Sequence, residues 1–408
     1  MNIIDGGVTA PIGFSATGLR AGIKPGKKNR DMALVVSEVP ATVAGTFTLN
    51  VVKAAPVLWD KLIVEKQETA RAIIINSGVA NACTGEIGYE NAKTMAANVA
   101  MKLDVDKNQV LVASTGVIGK QLPMEVIYHG IEELVPKLTS TREGAALAAE
   151  AILTTDTKKK EIAVEIEIDG KKVTIGAMCK GSGMIHPNMG TMLGFITTDI
   201  SISKDLLVEL LKADIEDTFN MVSVDGDTST NDSVLILANG LAGNTTIETK
   251  NKDYDIFLEA LHEVNEFLAK AIAADGEGCT RLLETQVIHA PSKDVAKVLA
   301  KSITTSNLTK CAVYGKDANW GRILCAMGYA GVDFDPYKVD ICIKSNCGEI
   351  KLVENGMATD YDEEMATNIL SPEKVIILAD IKAGEAEAVA WGCDLTYEYI
   401  KINADYRS

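Results

Sequence analysis

Histidine is scarce in this chain, with four residues among 408: His129, His186, His262 and His289. A Ser-His-Asp or Cys-His catalyst needs one of them set against a nucleophile. Only His186 lies near a segment of unusual composition, and an ordinary loop histidine explains it equally well. Other catalytic signatures are missing outright. The sequence holds no G-x-x-x-x-G-K-[ST] loop, no G-x-G-x-x-G between strand and helix, no G-x-S-x-G elbow and no H-E-x-x-H. The eight cysteines are scattered and form no C-x-x-C pair. Reduced, mostly buried thiols are expected, and no metal site is expected.

No apolar run approaches the roughly 20 residues of a membrane span. The opening Met1-Asn-Ile-Ile-Asp-Gly-Gly lacks the basic and apolar regions of a secretory signal. A cytoplasmic protein is expected. The net charge of −16 leaves no basic excess for nucleic acid or anionic membranes. Aromatics make up only 5%, so Ala, Val, Ile and Leu must supply much of the core. Repeats, low-complexity tracts and Pro-rich or Gly/Ser-rich linkers are absent too.

What is present reads as mixed secondary structure. Residues 71–76 and 109–114 are short continuous apolar runs, the pattern of strands buried on both faces. Residues 161–168 and 171–175 flank Asp169-Gly170, which reads as a hairpin. Residues 234–238, 339–343 and 375–378 are further strands. Helices are expected from Lys204 to about Phe219 behind a Ser203 cap, from Asp253 to Ala274, and from Lys293 to Ser302 behind Ser292. Strands and helices mix in both halves, so a layered α/β (α+β) build is expected, in two domains or two tightly packed halves.

The most informative stretch is Lys180-Gly-Ser-Gly-Met-Ile-His-Pro-Asn-Met-Gly190-Thr191-Met-Leu-Gly-Phe195. A threonine is a poor nucleophile unless a base lies beside it. Its own α-amine serves when the chain is cut before it. Cleavage at Gly190–Thr191 would make this a self-processing catalyst, which suits a chain poor in histidine. Ser114-Thr115-Gly116-Val-Ile-Gly119 follows an apolar strand. It reads either as a pair of oxyanion donors or as a polar turn. Asn76-Ser-Gly-Val-Ala-Asn81 also follows a strand, where loops often build sites. Asp225-Gly-Asp-Thr-Ser-Thr-Asn-Asp232 lacks the terminal glutamate of a calcium loop and reads as a turn-rich, supporting segment. Glu277, between two glycines, reads either as a receptor for an ammonium group or as a solvated carboxylate at a helix end.

Together these segments resemble the ArgJ family, the glutamate N-acetyltransferases or ornithine acetyltransferases of arginine biosynthesis. The resemblance runs nearly end to end. It also takes in Gly7-Val-Thr-Ala-Pro11, Val39-Pro-Ala-Thr42, Thr154-Thr-Asp-Thr157, Asn319-Trp-Gly-Arg322 and Lys401-Ile-Asn-Ala-Asp-Tyr-Arg407. It implies an N-terminal-nucleophile-like sandwich of sheets and helices, self-cleaved into chains 1–190 and 191–408 that associate as an α2β2 assembly. It further implies ping-pong transfer of acetyl from N2-acetylornithine to glutamate through acetyl-Thr191. Thr115 and Gly116 would hold the oxyanion. Thr154, Lys180, Thr191, Glu277, Asn403 and Ser408 would bind substrate. No cofactor is implied, though some members also take acetyl from acetyl-CoA. The alternative is an N-terminal-nucleophile amidase that passes the acyl group to water. Two positions depart from the family pattern. Gly190 stands where alanine is usual, and Ser408 where threonine is usual.

Overall fold

The computed structural model describes residues 1–186 and 192–405. Gly190, Thr191 and Ser408 therefore lie outside the described residues. Among the described residues the strands form two sheets of nine and seven. The larger sheet orders Asn2–Ile4, Lys160–Ile168, Lys171–Lys180, Leu193–Thr198, Ser233–Ala238, Met32–Phe47, Thr69–Val79 and Val110–Val117, with Phe14–Leu19 paired to Met32–Phe47. The smaller orders Met357–Ala358, Gly348–Glu354, Asp340–Ser345, Lys374–Asp380, Leu282–Ala290, Ala386–Cys393 and Val222–Ser223.

Helices cover both faces of the larger sheet, which matches the expected layered α/β build. Its central strands are buried on both sides, and successive side chains point to opposite faces. Along Ser233–Ala238, Leu235 and Leu237 join one core while Val234 and Ile236 join the other. The first core packs against Ala55–Lys66, Gly85–Leu103, Met124–Leu134 and Arg142–Ala151. The second extends through Lys252–Ala274, which touches Lys160–Ile168 of one sheet and Ala386–Cys393 of the other.

The Asp169-Gly170 hairpin forms as read, with both turn residues at positive φ (53° and 67°). Ser292 caps its helix by accepting from the Val295 N–H. Two expectations need correction. The helix behind Ser203 ends at Asp217, and Phe219–Met221 is a separate 3-10 turn. The Ser203 hydroxyl makes no cap bond; its backbone N–H instead donates to the Ile247 carbonyl at 2.9 Å, fixing the chain there.

The strands on either side of residues 181–192 are neighbours. Lys171–Lys180 pairs antiparallel with Leu193–Thr198, bringing Lys180 opposite Leu193. Leu193–Thr198 then pairs in parallel with Ser233–Ala238. Phe195, at 0% exposure, anchors that strand in the first core. Phe195→Ala should lower unfolding free energy by about 3–5 kcal/mol in urea titration. A loss under about 1 kcal/mol would contradict this packing.

Candidate active site

Two parallel strands deliver the first wall. Thr69–Val79 and Val110–Val117 run in register, Ser77 against Thr115 and Gly78 against Gly116. Gly116 has φ +130°, and a Cβ there would lie 2.3 Å from the Gly78 carbonyl carbon. Only glycine lets the strands close at this point. Ser114 Oγ donates to Asn76 Oδ1 at 2.6 Å, and Asn76 Nδ2 donates to the Val79 carbonyl at 2.9 Å. A distant residue completes the clamp. Asn231 Nδ2 donates to the carbonyls of Ala80 (2.6 Å) and Ser114 (2.8 Å), while the Thr230 hydroxyl holds Asn231 Oδ1. Thr115 and Gly116, which lie within the strand Val110–Val117 and not in a turn after it, are thereby fixed from two directions.

The second wall grows from one carboxylate. The Asp156 side chain is wholly buried. It accepts from Lys160 Nζ at 2.8 Å, the Gly181 N–H at 2.7 Å and the Thr154 N–H at 3.1 Å, with Lys180 Nζ at 3.8 Å. Burial opposes its ionisation, but Lys180 and Lys160 hold the carboxyl below the usual carboxylate range. Lys160 also reaches Asp275 at 2.6 Å, at the end of the helix Lys252–Ala274.

Asp275 leads to the third wall. The Ser182 hydroxyl donates to the Asp275 carbonyl at 2.7 Å, and the Glu277 N–H to the Ser182 carbonyl at 3.0 Å. Glu277 is 7% exposed and accepts from Asn403 Nδ2 at 2.7 Å. It is not a solvated helix-end carboxylate. A Cβ at Gly183 would lie 2.3 Å from the Glu277 carboxyl carbon, so this approach also depends on glycine. The closing helix Tyr397–Asp405 brings Asn403 into place.

These walls enclose a cavity of about 160 Å³. Thr115, Gly116, Thr154, Lys180, Glu277 and Asn403 all line it, together with Met192 and Leu193. So every described residue among the expected site residues converges on one space. Thr191 is bonded to Met192 but lies outside the described residues. His186 is not among the lining residues. Its Nδ1 meets the Ser223 hydroxyl at 3.1 Å, and burial, with Lys301 adding, pushes its pKa down to about 4.

The segment 225–232 is more than a support. Ser229, Thr230, Asn231 and Asp232 line the cavity directly. Asp232 is 2% exposed, and its Oδ2 has no partner among the described residues. Burial raises its carboxyl well above the usual range, against hydrogen bonds from Ser229 and the charge of Lys180. Asp225 accepts from the N–H groups of Met184 and Ile185 at 2.7 and 2.8 Å, anchoring the chain that leads to residue 187. The density of Asx and hydroxyl residues was the available sequence signal. No described group of His, Cys, Asp and Glu side chains is arranged to hold a metal ion.

Asp156 is depressed in the folded state, so its contribution to stability is complete above the ordinary value of 3.8 and is lost as pH falls through the folded value. Asp156→Asn should cost about 3–5 kcal/mol at neutral pH, because Lys160 and Lys180 lose a buried partner. The gap from wild type should narrow below pH 3.8 in denaturant titrations. A gap independent of pH would contradict the assignment.

The chain matches the model of the ArgJ family over residues 15–408. It is 52% identical to the arginine biosynthesis bifunctional protein ArgJ of Thermotoga neapolitana, across 98% of this chain and 99% of that protein. The protein of the same name from Caldanaerobacter subterraneus is 50% identical across the full length of both. Among solved structures, the ornithine acetyltransferase of Mycobacterium tuberculosis, complexed with ornithine, is 41% identical. That match covers 46% of this chain and 98% of that one, at a TM-score of 0.43. On the extent of these matches, from residue 15 to the last residue, the chain belongs to the ArgJ family.

Proposed function

We propose that this protein is a glutamate N-acetyltransferase of arginine biosynthesis that carries acetyl from N2-acetylornithine to glutamate on Thr191. One observation carries the reading: Thr115, Gly116, Thr154, Lys180, Glu277 and Asn403 line a single cavity beside Met192. Lys180 offers a cation for a substrate carboxylate, and Glu277 an acceptor for an ammonium group. A cavity of about 160 Å³ suits one amino-acid-sized molecule at a time, comparable to a roughly 150 Å³ cavity that admits benzene. Donor and acceptor then take turns, which requires a covalent carrier.

The chemistry follows. The Thr191 hydroxyl first attacks the Gly190 carbonyl, the acyl group shifts from nitrogen to oxygen, and water hydrolyses the ester. The freed α-amine then takes the hydroxyl proton as Thr191 attacks the acetyl carbonyl of N2-acetylornithine. The Thr115 hydroxyl and Gly116 N–H receive the oxyanion. The C–N bond breaks and ornithine leaves with the proton. The glutamate amine next attacks the acetyl ester, releasing N-acetylglutamate and restoring the hydroxyl. Chains 1–190 and 191–408 stay together because Lys171–Lys180 and Leu193–Thr198 pair across the cut. An α2β2 assembly, a cytoplasmic location and acetyl-CoA as a second acetyl donor belong to the same proposal. Among the described residues, no helix is long and apolar enough to cross a membrane.

Thr191→Ala should leave one uncut chain on denaturing gels and no transfer. Thr115→Ala should be cut and folded but slower by about 10²-fold or more in kcat. N-terminal sequencing of the wild-type fragment should read Thr-Met-Leu-Gly-Phe. Full transfer by the uncut protein would overturn the reading. Release of free acetate at the same rate with and without glutamate would assign an amidase instead.

A further inference from the structure

One carboxyl in the cavity wall is held firmly by its backbone but left unmatched at its tip. The Asp232 carbonyl accepts from the Thr48 N–H at 3.0 Å, and the next residue, Ser233, donates its N–H to the Met192 carbonyl at 3.0 Å. The residue before it, Asn231, is clamped to the Ala80 and Ser114 carbonyls. Position 232 is therefore tied on both sides. Asp232 lines the cavity, is 2% exposed, and leaves Oδ2 without a partner among the described residues. No described Lys, Arg or His nitrogen lies within ion-pair distance of it.

A buried carboxylate without a counter-charge is costly, and such a group takes up a proton instead. Burial accordingly raises the Asp232 carboxyl well above the usual range. A neutral carboxyl has what a carboxylate lacks, an O–H to donate. An enclosed site that keeps a carboxylic acid neutral makes it a hydrogen-bond donor.

A second group with capacity to spare stands on the same row. Lys180 pairs with Leu193, and Leu193 with Ser233, across three neighbouring strands. Adjacent strands lie about 4.8 Å apart, so the Lys180 and Ser233 backbones are about 10 Å apart. Asp232 directly precedes Ser233, and Lys180, Leu193 and Asp232 all line the cavity. Lys180 is 7% exposed, and its Nζ lies 3.8 Å from Asp156 Oδ2, too far for a hydrogen bond. Asp156 already accepts from Lys160, Gly181 and Thr154. A lysine and an acid reaching in from the two ends of this row suit one planar group with two acceptor oxygens.

We propose that Asp232 is a carboxylate-binding residue: as a neutral acid it donates its O–H to one oxygen of the substrate's carboxylate, while Lys180 holds the other. The identity of the substrate rests on the transferase reading. One negative charge then enters against one cation and one uncharged donor. An O–H donating to a carboxylate is a charge-assisted bond, stronger than a bond between neutral groups. An ionised Asp232 would repel the same ligand. The pairing selects amino acids with a free carboxylate over their amides.

The test compares full-length wild type, Asp232→Ala and Asp232→Asn, each checked for folding by circular dichroism, at saturating glutamate. Asp232→Ala should raise the KM for N2-acetylornithine roughly 10- to 100-fold with kcat little changed, as loss of a hydrogen bond to a charged group implies. Asp232→Asn, which keeps an uncharged donor at that position, should recover most of the loss. With N2-acetylornithinamide, which has no carboxylate, wild type and Asp232→Ala should converge. Equal losses in both variants, a fall in kcat at unchanged KM, or an undiminished gap with the amide would each overturn the proposal. Asp232→Ser, too short to reach the same oxygen, replaces Asp232→Ala if that variant does not fold. Wild type without any transfer would defeat the transferase reading instead. Calorimetry with ornithine then decides the residue. A Kd raised in Asp232→Ala and recovered in Asp232→Asn supports it, and one Kd for all three, or no binding by wild type, overturns it.

Discussion

Lys160 between Asp156 and Asp275 is the interaction on which the cavity depends. Its ammonium lies 2.8 Å from one carboxylate and 2.6 Å from the other, with its side chain 2% exposed. Asp156 reaches forward to Thr154, Lys180 and Gly181. Asp275 also accepts from Thr157 and Lys158, and lies two residues before Glu277. One buried cation thus joins the side of the cavity lined by Lys180 to the side lined by Glu277. Such a buried network is weak as a source of net stability, since desolvation offsets much of the attraction. Its effect is to fix distance. The spacing of Lys180 and Glu277 is set by a third group, Lys160, that does not itself line the cavity.

The same logic places the reacting centre. No histidine is among the described lining residues, and the proposed reaction gives proton handling to the amine that a cut before Thr191 would free. The fold accommodates a cut because both flanking strands are already paired within one sheet. Backbone pairing of Lys171–Lys180 with Leu193–Thr198 joins the segments on either side of residues 187–191. Asp232, one residue before the Ser233–Leu193 pair, presents a carboxyl that burial biases toward its neutral form. That limits negative charge near an incoming carboxylate.

Much of this was legible locally. Ser114-Thr115-Gly116 and Asn76-Ser77-Gly78 announce themselves as polar residues and glycine after apolar runs, though both continue their strands instead of leaving them as loops; Asp169-Gly170 announces itself as a turn that needs positive φ. The site residues were legible chiefly through resemblance to a family. Residues acting at long range were not. Asn231 holds carbonyls 151 and 117 positions away, and nothing in its own neighbourhood marks that reach. Asp156 lies in a Thr-Asp-Thr-Lys-Lys-Lys stretch that looks solvated; its burial goes with partners as near as Lys160 and as far as Lys180 and Gly181. The long strand Met32–Phe47 escaped periodicity because Glu38-Val-Pro40 interrupts its apolar pattern. The register shift between Val36 and Ala41 absorbs the proline.

The central claim is that Thr191 carries the acetyl group between donor and acceptor. Its most direct test is the intact mass of the fragment beginning at Thr191, taken after mixing cleaved protein with N2-acetylornithine and quenching in acid without glutamate. The account predicts a mass increase of one acetyl group, mapped to Thr191, that disappears when glutamate is added before the quench. Transfer that proceeds with no acetylated fragment at any time point would contradict it.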